Sequence, residues 1–301
     1  MNDEFTQNAL KKGISGSQWL MKIPEIISQY EKLWSIQVLS PFNLSYNYVA
    51  PATRTDGIQV VLKIGFPKDR EFQTEIDALT VFNGIGIEKI LEVDKNNAVM
   101  LIERVSPGIP LSGMEDDAEA TRILASVMKK LWKPVPEDNN FITISDWTAD
   151  LFQVQNWYKG TTGPFPEHLI IKAQELFTYL IKTQETPMLV HGDLHHDNIL
   201  SSARDKWLAI DPKGIVAEPC YEAAAMIRNP YKKLKRVKDL VPILRTRILI
   251  LSEELQFKPQ RILEWCFAQT VLSAVWNMEG VKGGEHAIRV AEALDTLKFS
   301  E

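Results

Sequence analysis

Three polar residues in the middle of the chain are spaced as in a catalytic loop for phosphoryl transfer. Asp193 lies five residues before Asn198, and Asp211 follows that asparagine by thirteen residues. In such loops one aspartate orients the attacking hydroxyl and accepts its proton, while the asparagine and the second aspartate hold Mg²⁺ on the nucleotide phosphates. Carboxylate and amide oxygens are hard ligands that suit this ion. The spacing therefore predicts phosphoryl transfer from a nucleotide to a hydroxyl, with Asp193 as the catalytic residue and Asn198 and Asp211 as metal ligands.

The histidines of the same stretch offer an alternative interpretation, a transition-metal cluster. His191, His195 and His196 lie close to Asp193 in the sequence. Zinc sites, however, favour cysteines or histidines at helical spacing, and the stretch has neither. Short apolar runs flank the loop and predict strands that hold it rigid. These runs are 188–190, 199–200 and 207–210. The kinase interpretation accounts for the whole arrangement, so we prefer it.

The composition is that of a globular protein with a mild acidic excess. The 301 residues are 45% hydrophobic and 24% charged, with a formal net charge of −5, and this length allows two domains. The acidic balance argues against nucleic acid as a partner and favours a neutral or cationic ligand. Two cysteines make no disulfide framework, and neither a signal peptide nor a membrane-spanning apolar run is visible. We therefore expect a cytoplasmic protein with no membrane partner.

The first third of the chain has the pattern of a small nucleotide-binding lobe. An amphipathic helix at 17–32, interrupted near Pro24, precedes the strands. Asp56-Gly57 is a hairpin signal, and apolar residues at helical spacing predict a helix over 69–82. Strands are predicted at 35–39, 46–50, 58–64, 89–93 and 98–102. The order of strands and helix is typical of a lobe that binds a nucleotide.

The linker 106–108 is the predicted junction between two domains. An N-terminal nucleotide-binding lobe would cover residues 1–105, and a mostly helical catalytic and substrate-binding lobe would cover residues 106–301. Apolar residues at helical spacing predict the helices of the second lobe. These helices are 116–131, 147–157, 167–183, 237–255, 259–278 and 284–297.

Candidate nucleotide-binding residues lie in the first lobe. Lys63 is the one charged residue near the end of an apolar strand, where kinases place a lysine that pairs with nucleotide phosphates. Glu75 on the following helix is its predicted partner, with Glu71 as the second candidate. Backbone groups from Glu103 to Val105 would hydrogen-bond the adenine edge. The expected cofactors are ATP (or GTP) and Mg²⁺.

The loop that should cover the phosphates departs from the kinase pattern. Kinases carry a G-x-G-x-x-G sequence between the first two strands. Here residues 41–47 read PFNLSYN, with no glycine. The serine and asparagine side chains and the backbone amides are the groups available for phosphate, and no glycine-rich grip is predicted.

Three features favour a small molecule over a protein as phosphate acceptor. Gly192 stands where protein kinases carry the arginine that binds a phosphorylated activation loop. No serine, threonine or tyrosine lies between Asp211 and Cys220, and no long segment is present there for a peptide platform. The helical array in the last third can build a closed pocket. We therefore expect no protein substrate.

These stretches resemble the aminoglycoside/hydroxyurea phosphotransferases, close to the streptomycin 6-kinases. The resemblance rests on the motifs of residues 191–230, on 56–67 around Lys63 and on 272–277, and it extends from about residue 34 to about residue 297. It implies an α+β, two-lobed, protein-kinase-like fold with a small β-rich N-lobe and a larger, mostly helical C-lobe. It also implies ATP-dependent phosphorylation of a hydroxyl on a small antibiotic-like molecule such as streptomycin.

Substrate contacts are expected in segments that should face the cleft. The candidates are Glu218, Glu222, Trp276, Asn277 and Glu279. Carboxylates would suit an acceptor that bears a guanidinium or amine group. A solvated surface position for the carboxylates, and a core position for the tryptophan, are the alternatives.

Two other functions remain open from the sequence. One is a metabolic kinase of the same architecture that acts on a sugar, an amino alcohol or an amino acid. The other is a nucleotide-binding pseudokinase that serves as a sensor or scaffold. The complete set of Lys63, Asp193, Asn198 and Asp211 argues against the pseudokinase, and the glycine-free loop is its only support.

Overall fold

The computed structural model describes residues 3–277 and 284–299. The chain divides into two compact units, Met1–Gly108 and Ile109–Glu301. The lobe junction predicted between residues 105 and 106 lies close to this division, while the separate roles given to the two lobes remain predictions. The first unit contains α1 (Asp3–Leu10), α2 (Gly13–Leu33), β1 (Ile36–Val38), β2 (Tyr48–Arg54), β3 (Gln59–Ile64), α3 (Arg70–Phe82), β4 (Ile90–Asp94) and β5 (Val99–Glu103).

The strands of the first unit form one antiparallel sheet in the order β1-β2-β3-β5-β4. All five predicted strands and the predicted helix are confirmed. Asp56-Gly57 lies in the turn between β2 and β3, where Gly57 has a φ of +85°. Alternate residues of a strand face opposite sides of a sheet. Leu62 and Ile64 join the buried core with α1 and α2, so Lys63 between them faces the other side, where its contact with Glu75 places α3.

The prediction that the first long helix is interrupted near Pro24 is wrong. Helix α2 continues through this proline from Gly13 to Leu33. A proline in a helix interior costs about 3 kcal/mol. Trp19, Ile23 and Tyr30 are buried along the inner face of α2, and each contributes about 1.5–3 kcal/mol. Their burial offsets the cost of the proline.

The second unit is mostly helical and is organised around one buried helix. Its helices are α4 (Asp117–Leu131), α5 (Ile144–Trp147), α6 (Ala149–Trp157), α7 (Glu167–Thr183), α8 (Ala223–Ile227), α9 (Tyr231–Leu234), α10 (Val241–Leu255), α11 (Pro259–Trp276) and α12 (Gly284–Asp295). Helix α11 is buried at nearly every position from Ile262 to Val275, as expected for a helix that is apolar on all sides. Helices α7, α8, α10 and α12 pack against it.

Short strands of the second unit form two small sheets. They are β6 (Pro107–Pro110, at the junction of the units), β7 (Ile142–Thr143), β8 (Met188–Val190), β9 (Ile199–Ser202), β10 (Trp207–Ala209) and β11 (Ile215–Ala217). The sheet orders are β10-β9-β6 and β7-β11-β8. The three apolar runs around the catalytic stretch are confirmed as β8, β9 and β10. None of the described helices has the length and apolarity needed to cross a bilayer.

Candidate active site

Two antiparallel strand pairs bring the motif residues of the second unit together. In the first pair, Val190 at the end of β8 lies opposite Ile215 at the start of β11. The carbonyl of His191, directly after β8, accepts hydrogen bonds from the N–H groups of Lys213 and Gly214 at 2.7 and 3.1 Å. The loop that carries Asp193 is therefore tied to the segment that follows Asp211.

The second strand pair places Asp211 beside Asn198. Ile199 of β9 pairs with Ala209 of β10, and the N–H of Ile210 donates to the carbonyl of Asn198 at 2.9 Å. Asp211 follows directly and has a φ of +60°, a left-handed conformation that is uncommon outside glycine and that concentrates at functional sites. The side-chain Nδ2 of Asn198 donates to the carbonyl of Asp193 at 3.0 Å, so its amide oxygen remains for another ligand.

The imidazole of His191 joins the two aspartate segments. Its Nδ1 accepts from the N–H of Asp193 at 3.2 Å, and its Nε2 lies 2.8 Å from the carbonyl of Ile210. An acceptor Nδ1 requires the proton on Nε2, which then donates to that carbonyl. Burial lowers the pKa of His191 to about 4, which favours this neutral form. The sequence motif contains His191, but its spacing does not indicate this bridging role.

Glu222 holds the backbone of the catalytic loop. Its carboxylate accepts from the N–H of His191 at 2.6 Å and from the N–H of Gly192 at 3.0 Å. The side chain is buried, and burial raises its pKa to about 7. Both oxygens are engaged by main-chain donors, so this geometry favours a role in positioning the loop over the predicted substrate contact.

Gly192 is required by the local geometry of the loop. Its φ is +88°, and a Cβ at this position would lie 2.4 Å from Cγ1 of Ile215. A side chain at residue 192 would therefore clash with β11 and strain the backbone. Packing against β11 therefore accounts for the absence of an arginine at this position.

Two basic side chains flank the carboxylate of Asp193. Nη2 of Arg228 lies 3.8 Å from its Oδ1, and Nε2 of His195 lies 3.8 Å from its Oδ2. The side chain of Asp193 is 30% exposed, so an acceptor can reach it. The spacing of the motif predicts neither Arg228 nor His195 as a neighbour of this carboxylate, because it does not reveal which basic groups surround Asp193.

In the first unit, Lys63 and Glu75 form a buried ion pair. Nζ of Lys63 lies 2.5 Å from Oε1 of Glu75, and each side chain is 5% exposed. Glu71, the second candidate partner, is exposed on α3. Glu103 ends β5, and its carboxylate accepts from the N–H of Lys89 at 3.1 Å. Val105 is buried two residues later.

The remaining candidates for substrate contact lie apart along the second unit. Glu218 is buried and forms an ion pair with Arg261 at 2.7 Å, and it also accepts from Nε1 of Trp265 at 2.7 Å. These partners satisfy its carboxylate within the protein, which favours a structural role. Trp276 and Asn277 stand together at the end of α11. Glu279 lies outside the described residues.

Trp276 has a polar and an aromatic neighbour. Its Nε1 donates to Asp150 at 3.1 Å, and its ring packs edge-on against Trp147 at 5.1 Å. Nδ2 of Asn277 donates to the carbonyl of Ser273 at 2.7 Å.

Among the described residues, no group of three or more His, Cys, Asp and Glu side chains could hold a metal ion.

Comparison with known proteins identifies the family of this chain. The model of the aminoglycoside/hydroxyurea antibiotic resistance kinase family matches residues 37–280. The chain belongs to this family. A streptomycin 6-kinase from Streptomyces glaucescens is 27% identical over 286 residues, which cover 94% of this chain and 92% of that protein. A hydroxyurea phosphotransferase from Kitasatospora aureofaciens is 25% identical over 94% of this chain and 82% of its own length.

Membership of this kinase family confirms the predicted reaction class, phosphotransfer to an alcohol group. Solved structures of other small-molecule kinases share the fold of this chain. An amicoumacin kinase superposes with a TM-score of 0.66 at 13% identity, over 91% of this chain and 92% of that one. A choline kinase from Streptococcus pneumoniae gives 0.62 at 17% identity, over 91% and 99%. The predicted protein-kinase-like fold is confirmed.

Proposed function

We propose that this kinase transfers the terminal phosphoryl group of ATP to a hydroxyl of an aminoglycoside-type antibiotic, with streptomycin as the first acceptor to test. The observation that carries the proposal is the convergence of Asp193, Asn198 and Asp211 through the two strand pairs. The match to streptomycin 6-kinases over most of the chain supports this choice of acceptor.

Asp193 is the proposed catalytic residue. Its partly exposed carboxylate would orient the acceptor hydroxyl and take its proton as the phosphoryl group arrives. Asn198 and Asp211 offer an amide and a carboxylate oxygen, which are the donors that Mg²⁺ prefers. This donor set fits the ion, since Mg²⁺ is usually held by one or two protein oxygens and by the phosphates themselves. When bound, it would neutralise charge on the phosphates.

The proposed nucleotide contacts lie in the first unit. Lys63, oriented by Glu75, would pair with the phosphates, and backbone groups of Glu103 and Val105 would hold the adenine. ATP is the proposed donor, and GTP in the same assay tests the alternative. Trp276 and Asn277 remain the proposed substrate contacts. A cytoplasmic location and a small-molecule acceptor complete the proposal, and the free thiols of the two buried cysteines fit a reducing compartment.

A panel assay tests the proposed function. Nucleotide consumption is measured with Mg²⁺ across aminoglycosides, hydroxyurea, choline, sugars and amino alcohols, and mass spectrometry detects the phosphorylated product. We expect transfer to streptomycin or to another aminoglycoside. Transfer only to sugars or to amino alcohols would contradict the proposed acceptor while leaving the kinase assignment intact.

Replacing Asp193 by alanine tests the proposed catalytic residue. We expect turnover to fall by about 10²–10⁴, the usual contribution of a general base. ATP binding, measured by calorimetry, should stay within about twofold of wild type, because Asp193 meets the acceptor and not the nucleotide. Asp197→Ala is the matched control, since Asp197 lies in the same loop with an exposed side chain. Wild-type turnover in Asp193→Ala would overturn the assignment.

A further inference from the structure

The segment that carries Arg228 is held by a buried arginine from another helix. The guanidinium of Arg247 on α10 donates to the carbonyls of Met226, Ile227 and Asn229 at 3.0, 3.1 and 2.6 Å. It also forms a two-point ion pair with Asp117, at 2.9 and 2.5 Å. Arg247 is fully buried. Charge-assisted bonds of this kind are stronger than neutral ones, so the end of α8 is rigidly placed.

The carbonyl of Arg228 itself is bound from a third helix. Nε2 of His286 on α12 lies 2.9 Å from this oxygen. Burial lowers the pKa of His286, which favours a neutral ring that donates through Nε2. Four consecutive carbonyls, from residue 226 to residue 229, are thus bound by side chains of α10 and α12. Ordinary helix ends leave such groups to water or to a cap. These bonds fix the backbone from which the Arg228 side chain extends.

The guanidinium of Arg228 points to the catalytic loop. Nη1 donates to the carbonyl of Ala224 at 2.8 Å and to Oε1 of Gln269 at 2.5 Å. Nη2 lies 3.8 Å from Oδ1 of Asp193. Only 13% of the side chain is exposed. Among the described residues, Asp193 is the carboxylate within 4 Å of this buried positive charge, and the other two acceptors are neutral.

We propose that Arg228 is a positioning residue for the transfer reaction, acting through Asp193. An arginine remains charged in a protein, so its guanidinium attracts Oδ1 and holds the carboxylate in one orientation. Oδ2, on the side of His195, is then directed to the acceptor hydroxyl. The inference rests on the proposed function, because it takes Asp193 as the residue that meets the acceptor.

Kinetics of three variants test this role. Arg228→Ala should lower kcat by about tenfold to a hundredfold, which is less than the loss expected for the base itself. KM for ATP should stay within about twofold, since Arg228 contacts the loop and not the nucleotide. Arg228→Lys keeps the charge and should retain more activity than Arg228→Ala. Arg236→Ala is the matched control, because Arg236 is an exposed arginine of the same region, and its kcat should equal that of wild type.

Chemical rescue separates positioning from support of the fold. Guanidinium chloride at low millimolar concentration should raise kcat of Arg228→Ala in a saturable way, because the ion can enter the space that the side chain leaves. It should not raise the residual activity of Arg228→Ala/Asp193→Ala, where the proposed target is absent. If Arg228→Ala does not fold, Arg228→Lys decides. A folded Arg228→Lys with a reduced kcat and a wild-type KM for ATP would support the positioning role, because lysine keeps the charge but not the geometry of the guanidinium. A wild-type kcat or a raised KM for ATP would oppose it.

Several results would overturn the inference. Wild-type kcat in Arg228→Ala would do so alone, as would lost activity that guanidinium does not restore in a folded protein. Equal rescue of the double variant would show that Arg228 does not act through Asp193. If the wild-type enzyme transfers phosphate to no hydroxyl acceptor, the proposed function and this inference fail together. If the wild-type enzyme is active and the Arg228 variants give one of the results above, only this inference fails.

Discussion

At the scale of single residues, Glu222 couples the catalytic loop to pH. Its pKa rises from 4.5 to about 7 because the side chain is buried, although the main-chain N–H groups of Gly192, His191 and Leu194 stabilise the carboxylate. Between these pH values the folded protein keeps a proton that the unfolded chain has released. The contribution of Glu222 to stability is therefore fully present below about pH 4.5 and is lost as pH rises through about 7.

Glu222→Gln should remove this pH dependence. We expect the free energy of unfolding of wild type, relative to the variant, to fall by about 3 kcal/mol between pH 4.5 and pH 8, the equivalent of the pKa change. Urea titrations of both proteins at four pH values measure the difference. Glu253→Gln is the control, because Glu253 is exposed on α10. A difference that does not change with pH would contradict the buried, titrating carboxylate.

Local spacing reveals some site residues and hides others. Asp193 and Asn198 are five residues apart, and one short loop brings the amide of the second to the carbonyl of the first. Such a contact can be expected from sequence alone. Arg228 reaches Asp193 across 35 residues, through the packing of α8 against α11, and no local pattern encodes it. The charge of Glu222 predicts a contact with a cationic acceptor, but its partners are main-chain groups, which have no signature in the sequence.

At the scale of elements, α1 supports the glycine-free loop at 41–47. Leu44 of this loop is buried in the same core cluster as Phe5 and Ala9 of α1. On the surface, Nδ2 of Asn8 donates to the carbonyl of Ser45 at 3.1 Å. A loop without glycine has less backbone freedom, and these contacts restrict it further. We infer that α1 sets the shape that the loop offers to the phosphates.

Asn8→Leu tests the support of this loop. Leucine has a higher helix propensity than asparagine, so α1 itself should not lose stability, while the bond to Ser45 is removed. A net hydrogen bond contributes about 1 kcal/mol, and we therefore expect KM for ATP to rise by up to about fivefold, with a melting temperature lowered by no more than about 4 °C. Gln7→Leu, at an exposed neighbouring position of α1, is the control. An unchanged KM in Asn8→Leu would show that the loop shape does not depend on this bond.

Elements with a local pattern were predictable, whereas the short strands β7 and β11 were not. The spacing of Phe72, Ile76 and Leu79 predicts α3, and the buried face of that helix follows it. β7 and β11 have two and three residues, and each forms because a distant strand offers hydrogen bonds. A window of this length contains no periodicity to read. The interruption predicted at Pro24 is wrong for a related reason. The core that stabilises α2 includes residues distant in the sequence, which a local pattern does not show.

At the scale of the whole molecule, acidic residues outnumber basic ones by 39 to 34. Glu218 and Glu222, the carboxylates expected to bind a cationic acceptor, are instead occupied by Arg261 and by the main chain. We therefore expect the summed charge of the protein to contribute to the electrostatic attraction of such an acceptor. Attraction of this kind acts over distance and is weakened by salt, because the Debye length shortens from about 30 Å at 0.01 M to about 3 Å at 1 M.

Salt dependence of acceptor kinetics tests this whole-molecule effect. With ATP saturating, kcat/KM for a cationic acceptor such as streptomycin should fall by up to about tenfold between 0.01 and 0.5 M salt, and kcat should change little, because screening affects encounter more than the chemical step. A neutral hydroxyl acceptor, where the panel assay finds one, should show no comparable decrease. A salt-independent kcat/KM for the cation would show that short-range contacts, such as those proposed for Trp276 and Asn277, hold the acceptor instead of the net charge. A fall in kcat as large as that in kcat/KM would place the salt effect on the reacting groups, and the long-range explanation would fail.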